Sequence, residues 1–141
     1  MNMEPVKLVY PVEGGDLIEA GEASSKMKMT LKKLGLPPDV IRRASICMYE
    51  GEINMVIHAD GGRAEVDVGM NDIVIRMIDH GPGIPDVGKA MEEGFSTAGD
   101  MARDLGFGAG MGLPNMKRYS DDMYIETEVG RGTTVTIKIL I

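Results

Sequence analysis

Tryptophan is absent from the 141 residues and aromatics total only 4 %, so bulky rings are scarce as core material. The 13 Met residues are the available gap-fillers, or else an adaptable contact surface. A single cysteine, Cys47, excludes an internal disulfide, and no Cys/His cluster has the spacing of a structural zinc site. Positive charge is also in short supply. Fifteen Lys and Arg against 22 Asp and Glu leave a formal net charge of −7, which argues against a nucleic-acid backbone or an anionic membrane as main partner. No apolar run approaches membrane-spanning length, and no signal peptide is visible at the opening "MNMEPVKLVY". The expectation is a soluble cytoplasmic domain, a single unit over residues 1–141, since this length suits one well-filled core.

Periodicity orders the elements. "VKLVYPV" (6–12) reads as a strand, with Pro11 suggesting a sheet edge. Gly14-Gly15 breaks it. From Asp16 as N-cap to Leu34 the pattern is helical, and Gly35 is placed to stop it. The "LPPD" segment opens a second long helix, over about 38–59, with Gly61-Gly62 as the break after it. "RAEVDVG" (63–69) alternates like a strand, "DIVIRMID" (72–79) is a more continuous apolar run, and Asn71-Asp72 makes the hairpin turn. A short helix is predicted over 86–94, a glycine-rich mobile loop over 95–110 and a further helix over 111–121. Strands at 122–129 and 134–141 around a turn at 130–133 close the chain as a hairpin. This order implies an α+β two-layer sandwich, a mixed and mostly antiparallel sheet covered on one face by helices.

Three pieces carry the chemistry. Asp79 ends an apolar strand and leads into "HGPGIPD". It reads either as a cap of the turn or as an acceptor for an exocyclic amine such as that of adenine, with Gly81 and Gly83 letting backbone lie against a flat ring. A carboxylate at that place discriminates, because a base lacking the amine leaves it unpaired. The cluster Gly108-Ala109-Gly110-Met111-Gly112-Leu113 precedes a helix and reads either as a hinge or as a nest of N–H groups for phosphates. It has neither the dinucleotide fingerprint nor the Gly-Lys-Ser/Thr of a P-loop. On the second long helix, Glu50, Asn54 and His58 stand four residues apart on one stripe, with Cys47 beside it. Asn54 offers a neutral oxygen suited to Mg²⁺. Glu50 is placed to orient or deprotonate a nucleophile, its pKa raised by Ile46 and Ile57. Glu52 lies off the stripe and reads as a solvated face, and His58 as a satisfied helix-end histidine.

Together the boxes Glu50-x-x-x-Asn54, Asp79-x-Gly81-x-Gly83, Gly108-x-Gly110-Met111-Gly112-Leu113 and Gly130-Arg131-Gly132-Thr133 resemble the ATP-binding domain of GHKL proteins, which include type II topoisomerases, Hsp90 chaperones, MutL and histidine kinases. "DHGPGIPDVGKAMEEGFSTAG" and "GAGMGLPNMKRYSD" are similar to the small serine kinases of the anti-sigma-factor group, above all the stressosome switch kinase. The resemblance runs from the first strand to Ile141. It implies ATP and Mg²⁺ between helices and sheet, with Asp79 on the adenine amine, Asn54 on Mg²⁺ and Glu50 as base. It also implies nucleotide contacts for Gly81, Gly83 and Ile84, a phosphate-covering lid from residues 108–113, and Thr133 helping Asp79 hold the base through a water. The implied acceptor is a serine or threonine on a STAS-domain antagonist or scaffold protein. A PP2C-type phosphatase or a sigma factor is implied as a further partner. In some relatives the first strand and helix form a homodimer interface, for which Met27, Met29 and Leu31 are either available or ordinary core.

The chain departs from the pattern twice. "DMARDL" lengthens the lid, with Arg103 either reaching the terminal phosphate or solvated, and Gly51-Glu52 replace residues that are usually small or apolar. A nucleotide-gated binding module, an anti-sigma factor or phosphatase activator without much turnover, uses the same pocket as a kinase. A histidine kinase needs an acceptor His, and only His58 and His80 exist, both inside the boxes. A chaperone or topoisomerase cycle needs a second closing domain.

Overall fold

The computed structural model describes residues 6–15, 20–59, 61–92 and 112–141. Its elements are β1 (Val6–Glu13), α1 (Glu22–Lys33), α2 (Pro38–His58), β2 (Gly61–Val68), β3 (Asp72–Asp79), α3 (Val87–Ala90), α4 (Gly112–Tyr119), β4 (Asp122–Glu128) and β5 (Gly132–Leu140). The strands form one sheet in the order β1-β2-β3-β5-β4, and Pro11 does sit on an edge strand. Every described pairing is antiparallel, in keeping with the mostly antiparallel sheet expected and with no parallel pair among the described residues. Tight turns make the β2–β3 and β4–β5 pairs antiparallel of necessity. The longer helical connections then return the chain with alternating direction.

Alternation along the strands builds the core. Ala64, Val66 and Val68 on β2, Ile73, Ile75 and Met77 on β3, and Val135, Ile137 and Ile139 on β5 are buried on the same face, under the helices. The long helix α2 lies centrally, packed against α1, α4 and the sheet. Pro38 at its first turn fits because that N–H has no intrahelical partner. Gly51 brings α2 close to the sheet. A Cβ there would stand 2.7 Å from Met77 Cγ and 3.2 Å from Met116 Cε. Glycine at this position is therefore a packing solution.

Two expectations about helices are corrected. Glu52 is 3 % exposed, not solvated. Its Oε2 accepts the N–H groups of Gly21 at 2.9 Å and Ala23 at 3.1 Å, and its Oε1 accepts that of Ser24 at 2.9 Å. Helix α1 begins at Glu22 behind a left-handed Gly21 whose own residues supply no side-chain cap. The carboxylate of α2 satisfies those orphan donors from 28 to 31 residues away, on the positive end of the α1 dipole. Asp16, expected to cap this helix, lies outside the described residues.

Smaller differences concern breaks. Gly61 and Gly62 are not a break but the first residues of β2, paired with Glu13 and Val12, where their missing side chains admit neighbouring backbone on both sides. The hairpin turn falls one residue earlier than expected, closed by the Gly69 N–H donating to the Asp72 carbonyl at 2.9 Å, while Asp72 already belongs to β3. Gly132 and Thr133, expected in a turn, open β5 opposite Glu128 and Thr127. The short helix covers only Val87–Ala90, capped by Asp86, whose Oδ1 accepts the Lys89 N–H at 3.0 Å. Met27 and Leu31 are fully buried and belong to the core rather than an interface, whereas Met29 is 60 % exposed. The predicted loop over 95–110 lies outside the described residues. No helix among the described residues is long and apolar enough to cross a membrane.

Candidate functional site

Strand β3 ends with its apolar face in the core and Asp79 at the rim. One oxygen of this carboxylate is already used. Oδ1 accepts the Gly81 N–H at 3.0 Å and the Thr133 N–H at 3.1 Å, tying the following loop to β5. Oδ2 has no hydrogen-bond partner among the described residues. The two readings of Asp79 are therefore compatible: one oxygen caps the turn and the other is presented in a fixed direction.

The loop after Asp79 lies flat against its surroundings. Gly83 adopts φ 79, a left-handed conformation that glycine takes without strain, and a Cβ there would come 2.5 Å from the Glu128 carbonyl. A Cβ on Gly81 would meet Ala59 Cα at 2.6 Å, so the loop also touches the end of α2. Ile84 is held by its backbone, its N–H donating to Thr127 Oγ1 at 2.8 Å. Thr127 and Thr133 share a hydroxyl contact at 2.8 Å, and Thr133 is buried. Thr127 is thus a site residue that sequence reasoning missed. Its signal was the hairpin register, since a turn at Val129–Arg131 sets Thr127 across from Thr133.

The helical wall of the site is α2 facing α4. Asn115 Nδ2 donates to Glu50 Oε1 at 3.3 Å. Burial raises the Glu50 carboxyl above its ordinary range, and the Asn115 amide opposes this by favouring the ionised form. A Cβ on Gly112 would stand 2.9 Å from Asn54 Oδ1, so the start of α4 rests on the Asn54 amide. The first turn of α4 therefore touches both Glu50 and Asn54 of the α2 stripe. Asn115 was also missed, although its place one turn beyond Gly112 puts it on the same helical face. Leu113 points into the core rather than the site. Gly108, Ala109, Gly110, Met111 and Arg103 lie outside the described residues.

Burial lowers the pKa of half-buried His58. Cys47 donates to the Met116 carbonyl at 3.5 Å, and burial pushes its thiol up to about 12. Among the described residues no three His, Cys, Asp or Glu side chains gather to hold a metal. A single amide oxygen at Asn54 suits a cation such as Mg²⁺, which takes most of its ligands from phosphate and water. The polar features of the candidate site are thus the Asp79 carboxylate, with Oδ2 unpartnered among the described residues, and the Glu50–Asn115 and Asn54–Gly112 contacts of α2 with α4.

A family profile described as histidine kinase-, DNA gyrase B- and HSP90-like ATPase matches residues 41–141, which hold most of α2 and everything after it. The chain belongs to this ATPase family. Among curated relatives, the serine/threonine-protein kinase RsbT of Bacillus subtilis is 34 % identical over 108 residues, covering 74 % of this chain and 75 % of that protein. An anti-sigma F factor of Geobacillus stearothermophilus is 30 % identical over 106 residues, covering 71 % and 69 %. Another, from Caldanaerobacter subterraneus, is 42 % identical over 65 residues, 46 % of this chain and 42 % of that protein. The ATPase-family match contains every described site residue, from Glu50 to Thr133.

Proposed function

We propose that this chain is an ATP- and Mg²⁺-dependent protein serine/threonine kinase of the anti-sigma-factor type, acting as one ATP-binding domain in the cytoplasm. The acceptor is a serine or threonine on a STAS-domain antagonist or scaffold, within a partner-switching system. The observation that carries this reading is the pairing of a partly desolvated Glu50 with Asn115, one turn from Asn54 and facing the start of α4. A carboxylate that only solvated a helix would need no such partner.

Asp79 Oδ2 accepts the adenine amine, while Gly81, Gly83 and Ile84 shape the surface under the ring. Thr133, held by Thr127, steadies the base through a water. Gly108 to Leu113 supply backbone N–H groups to the phosphates. Asn54 contributes one ligand to Mg²⁺, whose chemistry when bound is to neutralise charge on the phosphates. Glu50 receives the proton of the acceptor hydroxyl as that oxygen bonds to the γ-phosphorus and ADP departs. The phosphate added to the acceptor, about −1.5 to −2 in charge, breaks its existing contact and frees this chain for a phosphatase or sigma factor.

The kinase name of the Bacillus relative supports transfer, and the anti-sigma names of the others support a second reading, a nucleotide-gated binding module. Labelled γ-phosphate and purified STAS-domain proteins separate them. The kinase reading expects transfer by the wild type and its loss in Glu50→Gln with ATP binding retained. Nucleotide-dependent capture of a partner with no transfer would favour the module.

A further inference from the structure

Three contacts meet at Thr127 Oγ1 on β4. It accepts the Ile84 N–H at 2.8 Å, and it lies 3.3 Å from the Gly132 carbonyl oxygen and 2.8 Å from Thr133 Oγ1. A hydroxyl has one proton and two lone pairs. The Ile84 N–H fills one lone pair. The Gly132 carbonyl can only accept, so that contact takes the proton. The second lone pair is then filled by Thr133, whose hydroxyl is the donor. No other assignment makes all three contacts hydrogen bonds. The consequence falls on Thr133: its proton points at Thr127, and only its lone pairs remain for anything else. Thr133 is buried, and its backbone N–H donates to Asp79 Oδ1 at 3.1 Å. The residue tied to the Asp79 carboxylate therefore carries a side chain that, like Oδ2, can only accept.

We infer that Thr127 is a positioning residue for base selection: by holding the Thr133 proton it keeps the base site acceptor-only, which favours adenine's amine over the carbonyl that hypoxanthine carries in its place. This rests on the nucleotide reading above, in which a water joins Thr133 to the base. That water must give one proton to Thr133 and has one left for the site. With adenine every group is paired, since the amine serves Asp79 Oδ2 and N1 takes the second water proton. Hypoxanthine sets a carbonyl oxygen against Oδ2, two acceptors with one proton between them. One of the two stays unpaired, and that is the ground for rejection. Were Thr133 free to donate, the water would have two protons to give and both acceptors would be served.

The test is calorimetric titration of the full chain with ATP and with inosine triphosphate, each with Mg²⁺, in the wild type, Thr127→Val and Thr127→Ser. Valine keeps the branched shape and lacks the hydroxyl. The wild type should prefer ATP. Thr127→Val should bind inosine triphosphate about three- to tenfold more tightly than the wild type does, the range of one hydrogen bond, and should bind ATP no more tightly. Thr127→Ser, which keeps a hydroxyl, should restore the wild-type preference. If Thr127 only anchored Ile84, its loss would weaken both nucleotides and strengthen neither. Inosine triphosphate bound no more tightly by a folded Thr127→Val, beside normal ATP binding by the wild type, therefore overturns the inference and leaves the nucleotide reading standing. The wild type alone supplies a second measurement, with purine riboside triphosphate, which has neither amine nor carbonyl. It should bind more tightly than inosine triphosphate; the reverse order means that the site donates to the carbonyl and also overturns the inference. A wild type that binds none of the three overturns both.

Discussion

Replacing Glu52 with Ala should destabilise the fold far more than removing any surface carboxylate. The side chain is 3 % exposed and accepts three backbone N–H groups at 2.9 to 3.1 Å. Water reaches the Ala23 and Ser24 donors poorly, since both residues are buried. Each unsatisfied buried donor costs about 1–3 kcal/mol, so two of them set the loss at roughly 2–6 kcal/mol. A small domain has on the order of 5–15 kcal/mol in total. At about 3 °C per kcal/mol for this length, the melting temperature should fall by roughly 6–18 °C. Glu52→Gln keeps one acceptor oxygen and should lose less. With no tryptophan in the chain, urea and thermal unfolding are best followed by far-UV circular dichroism. A Glu52→Ala protein within about 0.5 kcal/mol of the wild type, the range of ordinary surface changes, would refute the capping argument.

Two more outcomes follow from burial. Glu50 has a folded-state pKa raised by burial, so its ionisation works against folding as pH rises through that value. Glu50→Gln should therefore have a higher urea midpoint than the wild type at pH near 7.5, the gap closing as pH falls and wild-type Glu50 takes up its proton; a lower midpoint throughout would contradict this. Cys47, with its thiol pushed up to about 12 and no exposed surface, should resist thiol reagents in the folded protein and react at the rate of unfolding, which timed labelling in rising urea measures.

The order of elements and the covered face of the sheet were legible because alternation and helical spacing are local signals. Residues 72–79 alternate buried and half-buried along β3, as an apolar run under helices does. The start of α1 was not legible. Its cap comes from Glu52, 28 to 31 residues on, and no local pattern near Gly21 announces it. The reading of Glu52 as solvated failed for the same reason: helical phase located it off the stripe, but only the packing of α1 on α2 closes it from water. The site divides similarly. Spacing brought Glu50 and Asn54 to one face, and the structure sets the start of α4 against both. Asn115 and Thr127 were missed because each acts through a partner on another element, Glu50 in one case and Ile84 with Thr133 in the other.

The central claim is that Asp79 presents one carboxylate oxygen to a purine amine. Asp79→Asn tests it cleanly, since an amide oxygen can still accept from Gly81 and Thr133 while the presented atom becomes a donor. Calorimetric titration with ATP and Mg²⁺ should show affinity reduced roughly ten- to a hundredfold, the loss of a hydrogen bond to a charged group of about 1.5–3 kcal/mol, with the melting temperature close to that of the wild type. ATP bound as tightly by Asp79→Asn as by the wild type would contradict the account.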